Sequence, residues 1–228
     1  MARRNKLTKF SEVLSFPNVV ENYEPTNPVL TISPSEIIDL KGKWTADFFR
    51  NDYPLILELA CGRGEYSLAL GRNNPDKNYL GVDIKGARIW KGAKAALDEG
   101  LDNVKFLRCK IEVILNFFAQ HEVDEIWITF PDPFHGKENR RLTAHSFLDR
   151  YRYLLKAGGI IHLKTDDDIL YEFSLESALS YPHTEIIYQQ DNIYASELYN
   201  PDLEFKTYYE AQHLGKGKTI KYLKVLMK

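Results

Sequence analysis

Five short apolar runs, separated by segments of helical period, dominate the sequence from Tyr53 onward, and few folds accept such an order. LILELA (55–60), NYLGVDI (78–84), NVKFLRC (103–109), EIWITF (125–130) and IIHLKT (160–165) read as strands. Helical stretches lie between them, around 65–72, at 88–100 with Ile89, Ala93, Ala96 and Leu97 on one face, at 111–119, and at 142–159 with a glycine stop. Strand, helix and strand in one sheet make a parallel pair, so the expected architecture is α/β: a Rossmann-like, mostly parallel sheet with helices on both faces. TEIIYQQ (184–190) and TIKYLKVLM (219–227) follow with no clear helix between them, which predicts antiparallel C-terminal strands.

The order also sets the domain boundaries. Residues 1–52 read as a basic, partly irregular N-terminal extension, with an irregular lead-in at 16–34, and residues 53–228 as one α/β domain. Hydrophobic content of 44% with 13% aromatics argues against disorder, and no apolar run approaches the roughly 20 residues of a membrane helix. MARRNKLTKF is basic but has no apolar core or cleavage site after it, so it is not a secretory signal. Cys61 and Cys109 have neither zinc nor disulfide spacing, and His121, His145, His162 and His183 show no metal spacing. A cytoplasmic protein with no resident metal is expected.

A net charge of -2 conceals three basic clusters: Arg3, Arg4, Lys6 and Lys9; Lys137, Arg140 and Arg141; and Lys216, Lys218, Lys221 and Lys224. Each is either a solvated surface or a set of phosphate contacts.

ELACGRGEYS carries Gly62 and Gly64 directly after the first of the five strands, where glycine lets the backbone turn tightly and approach a ligand at a helix N-terminus. Asp83, ending the next strand, is placed to accept hydrogen bonds from a ribose. Two details favour S-adenosylmethionine over NAD. Ser67 stands where the dinucleotide fingerprint wants a third glycine, and Glu58, inside the strand, would repel a pyrophosphate and attract the amino acid portion of a cationic sulfonium. A tight turn in an unrelated α/β protein is the plainer alternative.

TFPDPFHGKENRRLT (129–143) leaves the fourth strand at the sheet edge where ligands bind in open α/β folds. Pro131 and Pro133 are expected to bias Phe130 and Asp132 toward extended conformations and hold the acid at a set angle. A proline turn that opens a helix, with Asp132 as its cap, is the competing account.

ELACGRGEY, GVDI, FPDPFHGKENRRLT, HLKTD and TYYE, in that order from Tyr53 to near the C-terminus, resemble the bacterial tRNA (guanine-N7-)-methyltransferase family of TrmB type. The resemblance implies a class I S-adenosylmethionine-dependent methyltransferase, with tRNA as partner and a variable-loop guanine as acceptor. It implies cofactor residues Glu58, Gly62, Gly64 and Asp83, with Asp132 beside the donor as the acid at the reaction centre. Asp166, Thr207 and Glu210 would contact the guanine, and Lys137, Arg140 and Arg141 the RNA. Two departures stand out: Lys137 arrives one place later than the family lysine, and Lys110 stands where an acid is common, leaving Glu112 or backbone groups to meet the adenine. Ordinary capping competes at two places, with Asp166 before a helix near Asp168 and with the Thr207–Glu210 spacing of a capping box. A methyltransferase for another amino or ring-nitrogen acceptor, and a silent RNA-binding module, are the alternatives in function.

Overall fold

The computed structural model of the chain describes residues 6–228, which form two compact units, one ending at Ala119 and the other beginning at Gln120. Arg3, Arg4 and the Lys6 side chain lie outside the described residues.

The first unit comprises α1 (Lys6–Val13), β1 (Val19–Glu21), β2 (Leu30–Ser33), β3 (Glu36–Ile38), a π-helical turn (Trp44–Phe49), β4 (Leu55–Leu59), α2 (Glu65–Asn73), β5 (Asn78–Asp83), α3 (Gly86–Glu99), β6 (Val104–Arg108) and a 3-10 segment (Ile111–Asn116). Its strands lie in the order β3-β2-β1-β6-β5-β4. The pairs β4–β5, β5–β6 and β6–β1 are parallel, and β1–β2 and β2–β3 antiparallel. Every residue of β4 and β5 is buried, as a strand covered on both faces requires, and that is why both read as continuous apolar runs. Asp83 is in register with Arg108, and Arg108 with Glu21, so three charged residues share the C-terminal edge.

Two differences from the sequence reading appear here. The lead-in at 16–34 is not irregular throughout: it supplies β1 and β2, and Val19 pairs beside Phe106 of β6. A strand of three residues is too short to show a period, so only its neighbour identifies it. The helix expected at 111–119 is a 3-10 segment confined to Ile111–Asn116. Lys9, from the basic arm, stands 4.9 Å over the Trp90 ring, and Glu12 accepts the Trp90 indole N–H at 2.8 Å, which lays α1 against α3.

The second unit contains β7 (Val123–Thr129), a 3-10 turn (Glu138–Arg140), α4 (His145–Leu154), β8 (Leu155–Thr165), α5 (Asp168–Ser180), β9 (Thr184–Gln190), a second 3-10 turn (Pro201–Leu203), α6 (Tyr208–Leu214) and β10 (Lys221–Met227). Strand order is β7-β8-β10-β9, with β7–β8 parallel and β10 antiparallel to both neighbours, as the C-terminal pattern predicted. The short α6, which periodicity did not reveal, starts at the Thr207 cap, whose hydroxyl accepts the Glu210 N–H at 3.1 Å. Trp127 and His162 stack with ring centroids 3.9 Å apart, and the Tyr222 hydroxyl is 2.8 Å from His162 Nδ1, so this histidine is a core residue.

Candidate active site

In the first unit the chain turns sharply at the end of β4. Ala60, Gly62 and Gly64 all have left-handed backbones, with φ of 58°, 58° and 66°. The two glycines differ in what surrounds them. A Cβ at Gly62 would meet nothing nearer than the Ala60 carbonyl at 4.0 Å, so this position opens onto free space where a ligand can approach the backbone. A Cβ at Gly64 would fall 2.5 Å from the Phe106 ring, and Cβ atoms at Gly81 and Gly92 would come within 2.8 Å and 2.7 Å of the same ring. Phe106 thus occupies a socket of three glycines and sets the floor on which the turn rests.

Two buried carboxylates hold this turn. Asp83 accepts the Gly62 N–H at 2.9 Å and the Lys85 N–H at 2.7 Å, one on each oxygen, and a second lone-pair direction on each remains for a hydroxyl. Glu58, 3% exposed, accepts the Ser67 N–H at 2.9 Å and the Ser67 hydroxyl through Oε2. Cys61 lies between them in sequence, and burial first, then the charges of Glu58 and Asp83, push its thiol well above the ordinary range. The two carboxylate charges also favour a cation nearby. Lys110 and Glu112 are exposed at the start of the 3-10 segment after β6.

In the second unit, β7 runs into Pro131, Asp132 and Pro133. Phe130 is left-handed, with φ of 49°, and so is Phe134, at 45°. The expectation of an extended Phe130 is therefore corrected. Its N–H still donates to the Lys164 carbonyl at 2.8 Å while its ring lies parallel to that of His213, which tertiary contacts impose against the local preference before proline. Asp132 is exposed and its Oδ1 accepts the Phe134 N–H at 3.1 Å, closing a small turn. His135 Nε2 reaches Asp167 at 3.0 Å, and Asp167, not Asp166, caps α5 by accepting the Leu170 N–H at 2.8 Å.

Asp166 has other partners: His213 Nδ1 at 3.1 Å and Lys218 Nζ at 2.5 Å both face its Oδ2. Glu210 is wholly buried. Its Oε1 receives Lys164 Nζ at 2.9 Å and the Tyr194 hydroxyl at 2.6 Å, while Oε2 has no hydrogen-bond partner. Lys164, also at 0% exposure, donates further to the Leu203 and Phe205 carbonyls at 2.9 and 3.0 Å. Burial lowers its pKa, with the charge of Glu210 opposing that shift. Burial, and then the bond to Glu210, pushes the Tyr194 phenol well above its usual range.

The basic clusters divide under this geometry. Lys137 and Arg140 are exposed, and neither has an ion-pair partner among the described residues. Arg141, expected beside them at the RNA, is instead buried at 2% exposure with its Nε on the Pro133 carbonyl. Lys216 is exposed, but Lys218 pairs with Asp166, Lys221 with Asp168 at 2.6 Å, and Lys224 stands over Tyr199. Lys164 and Tyr194 were not expected. A lysine inside the apolar run IIHLKT was the available signal for the first, and nothing local marks the second. Among the described residues no cluster of three or more His, Cys, Asp or Glu could hold a metal, and no helix is long and apolar enough to cross a membrane.

A family model described as "Putative methyltransferase" matches residues 52–223. A tRNA (guanine-N(7)-)-methyltransferase of Christiangramia forsetii is 47% identical to the chain over 100% of both sequences. One of Bacteroides fragilis is 46% identical over 98% of the chain and 86% of the relative. Among solved structures, the 16S rRNA methyltransferase KamB aligns with a TM-score of 0.62 at 12% identity, covering 85% of this chain and 97% of its own. TrmN from Thermus thermophilus aligns at 0.51 with 20% identity, over 77% of this chain and 44% of its own. These structural likenesses show the fold, that of the class I methyltransferases.

Proposed function

The chain belongs to the tRNA (guanine-N(7)-)-methyltransferases, which methylate nitrogen 7 of a guanine in tRNA, and we propose how its residues carry out that reaction. The residues of the first unit fit S-adenosylmethionine: an open, left-handed Gly62, a ribose acceptor in Asp83 and the negative field of Glu58 and Asp83. That cofactor, when bound, supplies an electrophilic methyl group on a positively charged sulfur. Glu58 and Asp83 hold the cationic and ribose portions, Gly62 lets the backbone come close, Gly64 keeps the turn seated on Phe106, and Lys110 and Glu112 lie at the adenine end.

Guanine nitrogen 7 has an in-plane lone pair and no proton to remove, so no general base is required. Catalysis then rests on alignment and on a negative group placed where the purine becomes positive. Asp132 takes that role. A carboxylate about 4 Å from a unit charge interacts by about 4 kcal/mol at an effective dielectric near 20, against about 1 kcal/mol in bulk water. Since Asp132 is exposed, a docked base must displace water from it for the larger value to apply. Asp166 and the Thr207–Glu210 turn contact a variable-loop guanine. Glu210 Oε2, buried and unpartnered, can meet the ring and amino N–H donors that guanine has and adenine lacks in that arrangement only once the Thr207–Glu210 turn opens to admit the base. Lys137 and Arg140 meet backbone phosphates. With tRNA as substrate, the protein works in the cytoplasm.

The observation that carries this reading is an exposed carboxylate, Asp132, displayed on a turn between two left-handed phenylalanines at the C-terminal end of β7. The test is incubation with labelled S-adenosylmethionine and unmodified tRNA, followed by nucleoside analysis. Label in 7-methylguanosine, with turnover reduced roughly 100-fold in Asp132→Ala, is expected. Label in another nucleoside, or an Asp132→Ala protein as active as the wild type, would overturn it.

A further inference from the structure

Arg140 and Arg141 are adjacent in sequence, yet the first is exposed and the second is 2% exposed. Arg141 Nε donates to the Pro133 carbonyl at 3.0 Å, its guanidinium lies 4.6 Å over the Phe173 ring of α5, and Nη1 is 3.7 Å from Glu138 Oε1. A cation enclosed in this way is committed to the protein interior. We infer that Arg141 is a positioning residue for methyl transfer, holding the turn that presents Asp132, and is not a contact to tRNA. The inference rests on the reading of Asp132 given above.

The physical need for such a residue is visible in the turn. Phe130 and Phe134 are non-glycine residues at φ of 49° and 45°, conformations that persist only where the surroundings enforce them. Pro131 and Pro133 have no N–H, so the segment cannot be stitched to a neighbouring strand by a regular ladder. The Pro133 carbonyl follows Asp132 directly, and a charge-assisted hydrogen bond there fixes the peptide next to the carboxylate. The His135–Asp167 contact fastens the far side of the turn to the start of α5. A guanidinium suits the task because its planar edge donates to the carbonyl while its face packs on Phe173, a combination an ammonium cannot reproduce.

The experiment uses full-length Arg141→Lys and Arg141→Met, with Arg140→Ala and Asp132→Ala alongside. It measures kcat, KM for tRNA, tRNA affinity between about 50 and 200 mM salt, and S-adenosylmethionine binding as a check of folding. Both Arg141 variants should lose roughly 100-fold in kcat, as misplacement of a reacting group does, with tRNA affinity and its salt dependence unchanged. Arg140→Ala should instead lower the salt slope by about 1. An Arg141 variant with wild-type kcat, or with a salt slope reduced as in Arg140→Ala, would overturn the inference. If Arg141→Met fails to bind the methyl donor, Arg141→Lys, which keeps the buried charge, decides the matter on the same criteria. Full turnover in Asp132→Ala would defeat the underlying reading, whereas inactive Asp132→Ala beside fully active Arg141 variants would defeat this inference alone.

Discussion

Ser67 gives both its backbone N–H and its hydroxyl to one oxygen of Glu58, so a strand carboxylate occupies the start of α2. The residue that breaks the dinucleotide fingerprint is therefore the one that anchors Glu58. An anion near a helix N-terminus satisfies an otherwise unpaired donor and is favoured by the helix dipole.

Removing either side of this arrangement should separate stability from cofactor affinity. Ser67→Ala keeps the N–H bond and should cost about 1 kcal/mol of stability in urea unfolding, with a small effect on the cofactor. Glu58→Ala should weaken S-adenosylmethionine binding by at least tenfold in calorimetric titration. Equal binding by wild type and Glu58→Ala would remove Glu58 from the cofactor site.

The glycines of the turn should respond differently to the same substitution. Gly64→Ala adds a methyl 2.5 Å from the Phe106 ring at a left-handed position, and strain plus overpacking should destabilise the protein by about 3 kcal/mol. A second change, Phe106→Leu, should recover part of that loss. Gly62→Ala faces open space and should cost only the backbone term, about 1–2 kcal/mol, while reducing cofactor affinity. Thermal and urea unfolding with cofactor titration distinguish the two cases.

Lys164 and Glu210 form an ion pair with neither side chain exposed. Lys164→Met leaves an uncompensated carboxylate in the interior and should destabilise by about 3–5 kcal/mol. Adding Glu210→Gln should restore much of the stability but, on the proposed contact of Glu210 with the guanine, not the methylation rate. A double-mutant cycle in urea shows the coupling as a deviation from additivity, and strictly additive losses would mean the pair is not coupled.

Acid should destabilise the fold through His162. Burial lowers its pKa, with Glu125 acting in the opposite sense, so the native state keeps the ring neutral where the unfolded chain protonates. The unfolded state then binds more protons, and stability falls as pH drops below about 6.5, by at most about 1.4 kcal/mol per pH unit, levelling off below the native pKa. His162→Gln should be less stable at neutral pH, where the stack on Trp127 is lost, yet show a shallower decline between pH of about 7.5 and 5. Parallel pH profiles of the two proteins would contradict this.

Several residues of the candidate site were legible because they have local meaning. Gly62 and Gly64 mark a turn whatever surrounds them, Glu58 is conspicuous inside LILELA, and Asp83 and Asp132 stand at strand ends. What escaped were facts of burial. Lys137, Arg140 and Arg141 read alike, and three of the lysines between 216 and 224 proved to be held by Asp166, Asp168 and Tyr199. The cap of α5 fell on Asp167, one residue from the position expected, since cap geometry depends on where the strand releases the chain.

The sequence by itself determined the alternation of strands and helices, the antiparallel ending, and the glycines and acidic residues that stand at the strand ends. These follow from periodicity, glycine and proline, whose effects act within a few residues. Only the tertiary structure decided that β1 lies beside β6, that Phe106 sits in a socket of three glycines, that Lys164 and Tyr194 converge on Glu210, and that Arg141 turns inward while Arg140 faces water. Each of those depends on segments far apart in the chain excluding water from one another, and a residue's neighbours in sequence hold no record of that exclusion.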